Sequence, residues 1–278
     1  METISLKHLT VSRFILGSNP FSGFSHMDPV MDLTMKRYFT TARIKDLLFR
    51  AQAQGVNTLI ARTDNHVMRF LMEYWDEGGK LQWFAQTCPE VGEPQKCIQW
   101  AAANGARACH LHGGWMDFIY AQERLDEVPP LIEMIHEKGM LAGVAAHNPQ
   151  VIAWAEDHLD VDYFMCSYYN AAHRDERAEH VSGMEEWFLE EDRRVMTDLI
   201  QRLSRPAIHY TILAAGRRWE TPVAVGSSRA TGWTRWATAS SRPSPVQPSP
   251  LGAPARWRTT LRRTHNVVRF VAPRGGRQ

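Results

Sequence analysis

Gly105-Ala106-Arg107-Ala108-Cys109-His110-Leu111-His112-Gly113-Gly114-Trp115 holds the plan of the whole chain in eleven residues. A glycine ends a helix, and a short apolar run follows that is too brief for another helix. The run closes on a polar side chain, and a glycine pair opens the next turn. Working outward, the same cadence recurs. Gly55 precedes Thr58-Leu59-Ile60-Ala61, Gly78-Gly79 precedes Leu81-Gln82-Trp83-Phe84-Ala85, and Gly139 precedes Leu141-Ala142-Gly143-Val144-Ala145. Phe14-Ile15-Leu16-Gly17 stands at the front, and Asp162–Cys166 and Ala207–Leu213 complete the set. Between them lie helical stripes: Ile44, Leu47, Leu48 and Ala51; Leu131, Ile132, Met134 and Ile135; Val195, Met196, Leu199, Ile200 and Leu203. Strands separated by helices read as parallel βαβ units. Seven units, starting near residues 14, 58, 81, 108, 141, 162 and 207, predict an α/β fold of the (β/α)8 TIM-barrel type. The competitor, an open doubly wound sheet, carries a glycine-rich phosphate turn after its first strand. Gly17-Ser18-Asn19-Pro20-Phe21-Ser22-Gly23 matches one poorly.

The eighth unit has to come from a segment of different character. The 278 residues sum to a net charge of +2, but residues 216–278 hold twelve Arg, one Glu and neither Lys nor Asp. That segment carries +11 and leaves −9 on residues 1–215. Prolines in Ser240–Pro245 and Gln247–Pro250 exclude a helix or a central strand there. The expectation is therefore a barrel over 1–215 whose eighth unit is missing or replaced by an irregular tail. Three readings account for that tail. It is a disordered basic arm for an acidic partner, a linker ahead of a short strand such as Val267–Val271, or out-of-frame translation of GC-rich DNA. The abrupt change favours the last, with four of the ten tryptophans (Trp219, Trp233, Trp236, Trp257) in a stretch without apolar periodicity.

Composition narrows the function. The near-neutral total argues against a nucleic-acid footprint, and no run of eighteen apolar residues offers a membrane span. The N-terminus lacks a signal-peptide pattern, and Cys88, Cys97, Cys109 and Cys166 form neither a CxxC pair nor a disulfide framework. A cytoplasmic protein with reduced thiols and a small-molecule substrate is expected, its oligomeric state left open.

Chemistry in such a barrel gathers where strands end. The candidates are Asn19 after the first strand, Arg62, Asp64 and His66 after the second, and Gln86 after the third. His110 and His112 come from the fourth, with Trp115 and Asp117 just beyond. His147 and Asn148 end the fifth strand, and Tyr168, Tyr169 and Asn170 the sixth. Alternation along a strand points His110 and His112 to one side, one deep and one at the rim. His112 and His66 are read as acid–base groups with Asp64 as their orienting carboxylate, because imidazole titrates near neutrality. Arg62 anchors an anionic group, or else pairs with Asp64 or Asp117. Gln86, His147, Asn148, Tyr168 and Asn170 would hold substrate, with Asn19 and Trp115 completing the wall. A second reading uses His110, His112, His147 and Asp64 as ligands to a divalent metal such as zinc or manganese, in an isomerase or lyase. A third is a barrel without catalysis. Cys166, with no activating neighbour in sequence, is read as structural.

Leu9-Thr10-Val11-Ser12-Arg13-Phe14-Ile15-Leu16-Gly17 resembles the opening of the aldo-keto reductases, in which a hairpin plugs the barrel floor. Gly55–Ile60 is similar to that family's second-strand approach, and Leu111-His112 to its fourth-strand end, where a catalytic His sits. Gly143–Asn148 and Ser167–Asn170 resemble its fifth and sixth strand ends, so the likeness spans residues 5–215. It implies a (β/α)8 barrel, carbonyl reduction with NADPH, a sugar or other hydroxy-carbonyl substrate, and His112 as the matching catalytic residue. The family's Asp, Tyr and Lys fall on Ile60, near Asn65, and on Gln86. Its phosphate-gripping segment would fall where the basic tail begins.

Overall fold

The computed structural model describes residues 1–218 together with the backbone of Val267–Val271. The remainder of the basic segment, with its expected disorder or altered frame, lies outside the described residues.

The chain opens with an antiparallel hairpin of β1 (Thr3–Leu6) and β2 (Leu9–Ser12). Seven strands then line up side by side in chain order, all parallel. They are β3 (Phe14–Gly17), β4 (Thr58–Arg62), β5 (Gln82–Gln86), β6 (Ala108–Leu111), β7 (Leu141–Ala146), β8 (Tyr163–Ser167) and β9 (Ala207–Tyr210). The eighth place is taken by β10 (Val267–Val271), which pairs antiparallel with both β3 and β9 and closes the barrel. The eighth βα unit, expected to be missing or replaced by an irregular tail, gives way instead to an inverted strand drawn from the basic segment. No helix follows it among the described residues. The strand expected over 207–213 stops at Tyr210, because Thr211 takes φ 52° and leaves the sheet.

After β3 come α1 (Asn19–Ser22), α2 (Pro29–Tyr38) and α3 (Thr41–Ala53). One helix then follows each strand from β4 to β8: α4 (Asn65–Asp76), α5 (Pro94–Ala103), α6 (Gly113–Ala121), α8 (Pro149–His158) and α9 (Glu190–Ile200), with α7 (Val128–Glu137) added after α6. The glycine signals hold physically: Gly105 and Gly139 adopt φ 82° and 74°, in open space where only the backbone angle demands glycine. The helical stripes bury Ile44, Leu48, Leu131, Ile132, Ile135 and Met196 against the outer face of the sheet, whereas Val195, expected on the third stripe, is exposed. The four cysteines are free and buried. Burial raises the Cys166 thiol above its usual range, in keeping with a structural role.

Inside the barrel, Ile15, Ile60, Phe84, Ala108, Tyr163 and Ile208 fill the centre, while Leu6, Leu9 and Val11 of the hairpin plug the floor. Asp162 bolts that plug in place. Its carboxylate, nearly fully buried, meets Lys7 Nζ at 2.5 Å and His136 Nε2 at 3.0 Å, and accepts the Ala142 N–H at 2.8 Å. Burial alone would raise its pKa, but these partners outweigh burial and hold it below the ordinary carboxylate value. A depressed folded-state pKa gives stability that is present above about pH 4 and lost as the pH falls through the folded value. Asp162→Asn is therefore expected to cost about 1–3 kcal/mol at neutral pH and to flatten the acid limb of a urea-denaturation series. An identical acid limb in both proteins would remove Asp162 from this role.

Candidate active site

The strand ends open onto a cavity of about 90 Å³ lined by Asn19, Arg62, Gln86, His112, His147 and Tyr210 from the barrel rim, and by His26, Arg174 and His180 from two loops. The loop between β8 and α9, residues 168–189, is the longer cover and contains Arg174, His180 and Glu186. Its backbone lands on the first turn of α6. A Cβ at Gly114 would lie 2.4 Å from the Ala178 carbonyl oxygen, so only glycine lets the loop seat there.

His147 is the best-placed base in the cavity. Its Nδ1 lies 2.7 Å from Asp117 Oδ2, and the same carboxylate accepts the backbone N–H of His147 and of Asn148 at 3.1 Å each. With Nδ1–H committed to Asp117, Nε2 keeps its lone pair and is the atom open to a substrate. Asp117 comes from α6, one strand away, and is itself buried.

Arg62 reaches the cavity braced on every side. Asp64 contacts it at 3.2 Å, Glu90 at 3.1 Å, and it lies 4.5 Å over the Phe24 ring. Burial works against the Glu90 carboxylate, but Arg62 prevails and lowers it to about 2. Arg174 differs. Its guanidinium is buried and donates to the Glu179 carbonyl at 3.0 Å, and no carboxylate pairs with it among the described residues. His112 lines the wall with its Nδ1 accepting the Trp115 N–H at 3.3 Å. Burial, together with the nearby His147 and arginines, lowers it to about 3 against the pull of Glu90, so it is neutral at physiological pH.

Five of the expected side chains, Asn19, Arg62, Gln86, His112 and His147, thus share one cavity. The others are placed elsewhere. Asp64 caps α4, accepting the Val67 N–H at 2.9 Å, and pairs with Arg62. His66, in the first turn of α4, packs against Phe70 in a neighbouring hollow and does not line the cavity. Their expected partnership with His112 fails because helix α4 carries them to the outer side of the rim. Trp115 packs on the outer core, and Asn148 caps α8 by accepting the Gln150 N–H. The buried Tyr168 hydroxyl meets His209 Nδ1 at 2.9 Å. Asn170 donates its N–H to Asp192, away from the cavity wall.

His110 does lie below His112, as alternation requires, but it is sealed inside the barrel. Tyr163 donates to its Nδ1 at 3.1 Å, its Nε2–H faces Gln86 Oε1 at 3.4 Å, and burial lowers it to about 3. The anticipated metal set of His110, His112, His147 and Asp64 therefore does not converge. The one group of His, Cys, Asp and Glu that converges tightly enough among the described residues is His26, His180 and Glu186. Sequence reading missed these three, along with Arg174 and Glu90, because none stands at a strand end. It also took Asp117 only as a partner for Arg62. The one available signal was the length of the segment between β8 and α9, since long loops in compact domains tend to carry function.

No protein-family model matches the chain, and no curated protein matches it in sequence. Among solved structures, the holo form of aldo-keto reductase AKR11C1 from Bacillus halodurans aligns with a TM-score of 0.48 at 16% identity, over 80% of this chain and 69% of that one. The glycerol dehydrogenase AKR11B4 from Gluconobacter oxydans aligns with a TM-score of 0.42 at 12% identity, over 77% and 64%. The likeness is one of fold. Among the described residues, no helix is long and apolar enough to cross a membrane.

Proposed function

We propose that this barrel is an enzyme that moves a proton on a small hydroxy-carbonyl compound bearing an anionic group. The observation that carries the reading is the Asp117–His147 pair, with one imidazole nitrogen committed and the other open to the cavity. In this reading His147 Nε2 takes a proton from the substrate and Asp117 stabilises the imidazolium that forms. Arg174, lacking a carboxylate partner among the described residues, holds the anionic group. Asn19 and Gln86 supply amide contacts to hydroxyl and carbonyl oxygens, and neutral His112 offers a further contact on the wall.

The aldo-keto reductase resemblance implies NADPH. The family's proton-donating Tyr falls near Asn65 and its Lys on Gln86, whose Oε1 is turned to His110. These residues do not fit that family's way of using the cofactor. The cavity's own groups favour proton transfer.

Incubating the full chain in D2O with small hydroxy-keto acids and sugar phosphates tests this. Deuterium is expected to enter beside the carbonyl, followed by NMR, without added nicotinamide, and His147→Asn should abolish the exchange. NADPH oxidation by the same compounds with no deuterium incorporation would overturn the reading.

A further inference from the structure

We propose that the chain binds one divalent first-row transition-metal ion, zinc-like in its ligand preference, between His26, His180 and Glu186 on the loop side of the cavity. One donor atom from each residue lies within 4.8 Å of the other two. Glu186 Oε1 stands 2.9 Å from His26 Nδ1 and 3.6 Å from His180 Nδ1. Metal–ligand bonds of about 2.0–2.2 Å in a tetrahedron put neighbouring donors roughly 3.4 Å apart, and the two observed distances bracket that spacing. Two imidazoles and one carboxylate form a donor set of catalytic type, leaving a fourth position open. His26 and His180 both line the cavity, so that position faces it.

A second observation points to a missing ligand. The His180 side chain is 9% exposed, yet its Nδ1 is buried without a hydrogen-bond partner. Native interiors rarely leave such an atom unanswered. Reading the cluster as a plain His26–Glu186 hydrogen bond satisfies His26 and still strands His180. A metal ion takes the lone pairs of both rings and the carboxylate together.

The surroundings look built for holding three donors still. Asp32 accepts the Ser25 N–H at 2.9 Å and also bonds the Ser182 hydroxyl, so the neighbours of His26 and His180 are tied to one buried carboxylate. His26 sits at φ 56°, a strained angle for a side-chain-bearing residue, and Arg217 Nη1 bonds its carbonyl at 2.8 Å. On the far side of the ring, His26 Nε2 meets the Asn19 side-chain amide at 3.3 Å. Half a turn of that amide offers Oδ1 to Nε2–H, the outer contact that frees Nδ1 for a metal. The open position would accept a hydroxyl or carbonyl oxygen of a substrate.

This proposal does not depend on the His147 reading, and its test separates the two. The full chain, stripped with chelator and dialysed, is titrated with Zn2+ and then Co2+. One ion per chain is expected, with the visible absorption bands of tetrahedral cobalt. Glu186→Gln and His180→Ala should each weaken zinc binding by about a hundredfold or more, whereas His147→Asn should retain full uptake. Circular dichroism checks that each variant folds, and if His180→Ala does not, the wild-type cobalt spectrum and Glu186→Gln still decide. Substoichiometric uptake by the wild-type chain, an octahedral cobalt spectrum, or unchanged affinity in Glu186→Gln would overturn the site. Uptake of metal by a chain that fails to exchange deuterium would instead overturn the proton-transfer reading and leave the site intact.

Discussion

Asn in place of Asp117 is expected to lower turnover by about two to four orders of magnitude, the usual worth of a positioned acid–base group. Asp117 uses both oxygens at once: Oδ1 accepts the Asn148 N–H, and Oδ2 accepts from His147 Nδ1. An amide has one carbonyl oxygen for these two donors. If it stays with the backbone N–H, its NH2 group faces the imidazole and drives His147 to the tautomer protonated at Nε2. The base then disappears from the cavity. If it stays with the ring, a backbone N–H loses its partner, and the negative charge that stabilises the imidazolium is gone in either case. Imidazole 15N shifts in the variant should report the change of tautomer, and the rate should fall with it. A variant that keeps turnover within about threefold would remove Asp117 from catalysis.

Trp83→Ala is expected to be the most damaging single substitution for stability, at about 3–5 kcal/mol. Trp83 lies on β5 with no exposure to solvent, packed in the apolar layer between the sheet and its helices. Its Nε1–H donates to the Ala61 carbonyl at 3.0 Å on the adjoining strand. Truncation opens a large void in a layer that strands hold rigid, so little collapse can offset it, and it removes the indole hydrogen bond to the Ala61 carbonyl. Thermal unfolding should shift downward by on the order of ten degrees. Trp83→Phe should recover part of the loss by refilling volume. Equal stabilities of wild type and Trp83→Ala would show that this layer is not the core it is described to be.

Much of the barrel was legible because its signals are local. Gly105 and Gly139 announce helix ends through their own backbone angles, and runs such as Leu141–Ala146 are apolar on both faces, as a parallel strand between helices and a filled barrel must be. The inverted closure by Val267–Val271 was less so. That strand was one of three readings of the tail, and nothing in its residues specifies which way it runs between β3 and β9.

The site was read only in part, for a specific reason. In a βα unit the residue after a strand is also the one before a helix, so a polar side chain there has two possible employments. Asp64 and Asn148 serve their helices, each accepting a first-turn N–H. His112 does the same with Nδ1 and still lines the cavity. The sequence alone cannot separate cap from catalyst at such positions, because both need a polar side chain in the same place.

What the sequence by itself determined is therefore the architecture up to its seventh strand, and the rim on which chemistry would gather. Periodicity, glycine placement and segment length are properties of neighbouring residues, and they survive without knowledge of the fold. The tertiary structure alone decided which side chains meet. Asp117 reaches His147 from the next unit around the barrel, and residues 168–189 fold back to set His180 and Glu186 beside His26, some 160 positions away in the chain. Pairings of that kind depend on the path of the chain through space, and no local pattern encodes them.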